Sequence, residues 1–98
     1  MTVKIDGKVH DEWVRWMKDI HIPDVMKTGC FLSYRFTKIV EEPDEHGVGY
    51  AIQYVAENKN KFELYQKQFA GALQQEHANK YQNRYAAFRT LLEIIDEV

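Results

Sequence analysis

The sequence predicts a single α+β domain whose elements run strand, helix, strand, strand, helix, strand. Three observations lead there. Apolar residues recur at helical spacing in two separate segments. Residues 30–40 and 48–56 alternate strictly and are joined by a short loop holding Pro43 and Gly47. Short alternating segments stand near both ends of the chain.

In residues 2–6, Val3 and Ile5 alternate with polar neighbours before Gly7 turns the chain, which reads as a first short strand. From there Val9, Trp13, Trp16, Met17 and Ile20 follow the i, i+4, i+7, i+8, i+11 series that draws one apolar stripe along a helix. Asp11 and Glu12 fall in its first turn, where the macrodipole favours carboxylates. Pro23 has no N–H to continue the ladder and biases Ile22 away from helical angles, so the helix is expected to end near Ile20. Pro23 then suits the start of a new short turn that includes Asp24 and closes with Lys27 and Gly29.

Residues 30–40 place Leu32, Tyr34 and Phe36 on one face and Phe31, Ser33, Arg35, Thr37 and Ile39 on the other. Residues 48–56 place Tyr50, Ile52 and Tyr54 opposite Gly49, Ala51, Gln53 and Val55. The acidic loop EEPDEHG between them makes the pair a hairpin. Asn58 is set to cap a helical region with Phe62, Tyr65, Phe69, Ala72 and Leu73 on one stripe. Gly71 and Glu76 interrupt that stripe and predict a break, with a second helix over about 71–81. Residues 82–84 turn, and 85–95 alternate as the last strand. The result is the ferredoxin-like βαββαβ pattern, a four-stranded antiparallel sheet with its helices on one face, spanning residues 1–98 as one domain.

Helices on one face leave the other to water or a partner. That second face is expected to carry Phe31, Ile39, Ala51, Val55 and Leu91 among Ser33, Arg35, Thr37, Gln53, Arg89 and Glu93. So much apolar area predicts a homodimer, sheet to sheet, burying on the order of 2,000 Å². Arg35, Gln53 and Arg89 would then need a carboxylate, water or an anionic ligand, because an unpaired buried arginine costs several kcal/mol. Two readings stand: the arginines pair with acids such as Glu93, or they line a cleft for a small molecule. Tyr34, Trp13 and Trp16 join them as candidate ligand contacts, and Tyr50 and Tyr54 can line a cavity equally well.

Composition narrows the partners. With 13 basic and 15 acidic residues in 98, a net charge of −2 and a pI near 6.1, there is no concentrated basic face for nucleic acid or an anionic membrane. No apolar run approaches the length of a membrane span, and the first residues lack a signal-peptide core. Cys30 stands alone and forms no internal disulfide, so the expected location is cytoplasmic.

His21, in His-Ile-Pro, has two readings. Continuing the helical phase sets it beside Met17, Val14 and His10 at the edge of the stripe, where a half-buried imidazole suits proton transfer. The same place suits a histidine that hydrogen-bonds the last carbonyls of the helix. His77 reads as packing on a helix flank, and His46 as solvated in the acidic loop. His10 and His21 lie about 16 Å apart along a helix, too far to share a metal ion. Neither a C-x-x-C nor an H-E-x-x-H pattern is present, and no glycine-rich phosphate loop, so no metal and no cofactor is expected. A catalytic role for Cys30 would need a histidine beside it, which the sequence does not place.

The run W-x-x-W-M-x-x-I-H-I-P from Trp13, with T-G-C-F-L-S at 28–33, Y-A-I-Q-Y at 50–54 and A-F-R-T-L-L-E at 87–93, resembles a family of small bacterial proteins known as domain of unknown function 4286. The resemblance covers nearly the whole chain and implies membership of the dimeric α+β barrel superfamily, although the first strand here is shorter than that pattern leads one to expect. The His-Ile-Pro element also resembles EthD-like members, some of which act on small organic molecules. Antibiotic-biosynthesis monooxygenases and haem-degrading enzymes share the superfamily, so the fold alone does not choose a reaction. The resemblance favours binding of a small organic molecule in a cleft between helices and sheet. Its alternatives are an enzyme of monooxygenase, isomerase or EthD-like type, with His21 as general acid or base and Arg35 or Arg89 holding an anion, and a purely structural dimer.

Overall fold

The structure, a computed structural model, describes residues 1–40 and 47–97. The elements are β1 (Thr2–Ile5), α1 (His10–Trp16), a π-helical turn (Met17–His21), α2 (Ile22–Met26), β2 (Phe31–Lys38), β3 (Val48–Ala56), α3 (Lys59–Gln68), α4 (Ala70–Lys80) and β4 (Tyr85–Phe88). The strands form one open sheet in the order β2-β3-β1-β4 with every neighbouring pair antiparallel. The loop predicted at 41–47 falls, with His46, largely outside the described residues.

One face of the sheet carries the core. Val3 and Ile5 of β1 and Tyr50 and Ile52 of β3 pack against Trp13, Trp16, Met17 and Ile22 of the first helical segment and Tyr81 at the end of α4. Each large side chain fully buried in this way contributes about 1.5–3 kcal/mol. Gly47 admits no side chain, since it has φ 122° and a Cβ there would lie 2.7 Å from the Ile5 carbonyl oxygen. It lets the chain enter β3 tight against β1.

The first helix does not stop at Ile20. It widens, and the Ile22 N–H donates to the Met17 carbonyl five residues back. Ile22 itself is helical, with φ −62° and ψ −44°. Pro23 lacks an N–H for the carbonyl four residues earlier and its ring crowds that carbonyl; a π turn relieves both faults without ending the helix. The extra residue also rotates the downstream face by about 100°. Ile20, expected in the stripe, is therefore 47% exposed, whereas His21 and Ile22 turn inward and are buried.

Two strands differ from expectation for equally local reasons. In β2, Phe31 pairs with Ala56 and Ser33 with Val55, so Leu32 is an extra residue. This bulge turns Phe31 to the helix side, against Tyr54 and Tyr65, and leaves Leu32 65% exposed, reversing their predicted faces. β4 is four residues long, not eleven. Phe88 pairs with Thr2, the first residue of β1, and residues beyond Phe88 have no strand beside them. The second helical region breaks at Phe69, two residues before Gly71, and Asn58 caps it by accepting the Lys61 N–H at 2.9 Å.

Candidate functional site

The first helical segment and α4 meet in a cluster of aromatic and imidazole rings. Trp13 and Trp16 come from α1, His21 from the π turn, and His77 and Tyr81 from α4 and its end. His77 and Tyr81 are four residues apart, so both project from one face of the helix. Trp13 Nε1 donates to His77 Nε2 at 3.0 Å. That bond fixes His77 as an acceptor at Nε2, with its own proton on Nδ1. The His77 ring also meets the Tyr85 ring at 4.5 Å, edge to face. Burial, with the nearby His21 and Arg89, pulls its pKa down to about 4. His77 is thus a neutral packing residue, held in one tautomer.

His21 differs. Its ring stacks on Trp16 with centroids 5.0 Å apart and lies 5.7 Å from the His77 ring. It is 6% exposed, and its Nδ1 has no hydrogen-bond partner. The predicted bond to the helix carbonyls is not made through this atom, because the π turn supplies those carbonyls with backbone donors instead. Burial lowers its pKa, with Asp24 opposing and Arg89 adding to the effect, so the ring is neutral near pH 7. The Tyr81 hydroxyl is also buried without a partner, and burial pushes its pKa up to about 12. The Tyr81 ring packs edge to face on Trp16 at 5.5 Å, and the Lys80 ammonium lies 5.9 Å from the Trp16 ring and 5.7 Å from that of Tyr81.

Besides Asp24 at His21 and Glu12 at Tyr81, the exposed Arg89 is a charge that bears on this cluster. It lowers the pKa of His21 and His77, and that of Tyr65 against the raising effect of burial. Alternation from the sequence sets Arg89 on the open face with Leu91 and Glu93. It is instead in phase with Tyr85 and Ala87, which pack into the core, and its charge reaches the helix side. Among the described residues neither Arg89 nor Arg35 makes an ion pair, so the pairing with Glu93 is not formed.

The remaining predicted contacts separate. Arg35 and Gln53 are direct cross-strand partners, exposed on the open face. Tyr34 pairs with Tyr54 and is 50% exposed, near the Phe31–Tyr65 contact. Trp13, Trp16 and His21 stay together, while Arg89 is exposed and reaches them only through its charge. His77 and Tyr81 complete the group, and the sequence signal for them was their i, i+4 spacing after Leu73.

A second arrangement lies at the start of α1. His10 Nδ1 bonds Asp11 Oδ1 at 3.0 Å, and Nε2 bonds the Tyr50 hydroxyl. These residues line an open groove of about 410 Å³ with Val14, Arg15, Lys18 and Asp19; His21 is not part of its wall. Cys30 is buried, with Sγ 3.8 Å from the Thr28 carbonyl. Among the described residues no three His, Cys, Asp or Glu side chains converge as metal ligands, and no helix is long and apolar enough to cross a membrane.

The chain belongs to the family described as domain of unknown function (DUF4286), whose model matches residues 1–95. No curated protein and no solved structure matches it.

Proposed function

We propose that the chain is a cytoplasmic homodimer of ferredoxin-like subunits, assembled as a dimeric α+β barrel, which binds a small organic acid between helices and sheet at His21. The observation that carries this reading is the pair of buried polar atoms without partners, His21 Nδ1 and Tyr81 Oη, both on rings packed against Trp16. Each such atom costs about 1–3 kcal/mol when left unsatisfied. One of them, His21, also feels the charge of Arg89, which makes no ion pair among the described residues. A flat apolar molecule with an acidic group answers all three: its body suits the aromatic walls, its polar edge His21 and Tyr81, and its charge Arg89. The strand order and antiparallel pairing support the ferredoxin-like assignment. The exposed Phe88, Leu91, Leu92, Ile94 and Ile95 support a partner chain.

A second reading makes the same site catalytic, in a reaction of monooxygenase, isomerase or EthD-like type. The depressed pKa of His21 favours it, because a neutral imidazole can take a proton near pH 7.

Trp13 and Trp16 are the two tryptophans of the chain and both belong to the cluster, so intrinsic fluorescence reports on it directly. Titration with benzoate and salicylate should give a saturable change in emission, weaker with neutral benzamide. Arg89→Gln should erase the preference for the acids. If no compound in the set gives a saturable response, the binding reading fails.

A further inference from the structure

Residues 89–97 carry apolar residues in two adjacent pairs, Leu91 with Leu92 and Ile94 with Ile95, and lie beside no strand among the described residues. Leu91, Leu92, Ile94 and Ile95 are between 55% and 86% exposed. Strand alternation sets Leu91, Glu93 and Ile95 on one side and Leu92, Ile94 and Asp96 on the other, so both sides of this tail are half apolar. Such a pattern belongs to a strand covered on both faces. At the far side of the sheet, β2 has eight residues and among the described residues pairs only with β3, which makes it an edge strand. The tail and this edge are complementary in charge. Past Arg89 the tail carries Glu93, Asp96 and Glu97 and no base, whereas β2 carries Arg35, exposed on the open face, and no acid.

We infer that residues 91–96 of one copy add as a fifth strand to the outer edge of β2 in a second copy, and reciprocally. The inference rests on the dimer proposed above and commits it to one symmetry. A two-fold axis running along the strands, between the two open faces, stacks β4 of one copy over β2 of the other, given the order β2-β3-β1-β4. Packed sheets lie about 10 Å apart, and three extended residues at about 3.3 Å each span that gap. Arg89 to Leu91 supply the crossing, and pairing follows from there. The chain cannot satisfy the tail by itself, since its own β1 ends beside Phe88. Docking also has a consequence for the site. Arg89 begins the tail, so docking would fix the backbone of a residue whose charge is felt at His21.

The test uses the full chain with Cys30→Ala, carrying either Ser33→Cys in β2 or Glu93→Cys in the tail. After the two proteins are mixed and allowed to exchange subunits, a short bis-maleimide should join one of each into a covalent pair, while Ser33→Cys alone should give little product. Ending the chain after Thr90 should weaken dimerisation about a hundredfold in light scattering, equivalent to about 2.8 kcal/mol. Circular dichroism establishes whether the shortened chain folds, and the cross-link does not depend on it. A dimer that gives no mixed product overturns tail docking and leaves the dimer in place. A monomer at micromolar concentration overturns both.

Discussion

The two ends of the first helical segment carry histidines in opposite states. At the start, His10 has both ring nitrogens bonded, to Asp11 and to Tyr50, and lines an open groove. At the end, His21 is buried against Trp16, with Nδ1 bonded to nothing. The groove therefore offers access where this imidazole is already committed, and the cluster offers an unused nitrogen where access is closed. A satisfied histidine at a surface explains itself as local structure. A buried imidazole nitrogen without a partner does not, and that difference directs attention to His21 despite the cavity lying elsewhere.

Trp13 separates the two ends, with its ring 5.2 Å from Tyr50 on one side and its N–H on His77 on the other. Trp13→Ala should cause the largest loss, about 3–5 kcal/mol, enough to unfold much of the protein in a thermal melt. A loss below about 1 kcal/mol would mean that the two regions do not share this wall.

His77→Phe comes next. It keeps a ring in place but strands the Trp13 N–H, and should cost about 1–3 kcal/mol in urea unfolding. The same residue sets a pH dependence. Its pKa is about 4 folded against 6.5 unfolded, so the unfolded chain binds the proton first. Stability should be full above pH 6.5, fall as pH drops below it, and stop falling from this source near pH 4. The lowered pKa of His21 acts with the same sign. Urea midpoints measured across that window should show the slope, and His77→Phe should flatten it. A midpoint that rises on acidification would contradict the neutral, acceptor state of His77.

His10→Ala should be the mildest of the destabilising changes. Its bonds are partly exposed, and their loss should cost about 1 kcal/mol or less. A larger loss would make the first end of the helix the more demanding one and reverse the comparison.

The sequence was legible where pairing and periodicity are local. Residues 48–56 match β3 at both ends, Asn58 caps as expected, and alternation placed Tyr50 and Ile52 in the core. It failed where one residue is inserted. The π turn at Pro23 and the bulge at Leu32 each shift the phase of everything after them, and a fixed period cannot register that. Residues 89–95 read as the end of the last strand, but their apolar residues come in adjacent pairs that do not alternate, and a strand also needs a neighbour, which the sequence cannot supply. Of the candidate site, the two tryptophans were visible on one helical stripe with His21 at its edge, and the π turn carries His21 inward. His77 and Tyr81 were not assigned to it, since only the crossing of two helices brings them within reach.

The most direct measurement is His21→Phe, with unfolding and fluorescence titration read on the same protein. Phenylalanine preserves the stack on Trp16 and removes the unpaired nitrogen. If His21 Nδ1 is held for a ligand, the variant should be as stable as the parent, within about 0.5 kcal/mol, or more stable. It should also lose the saturable response to benzoate. A variant destabilised by about 1–3 kcal/mol that still binds benzoate as the parent does would show that His21 serves the fold and not a site.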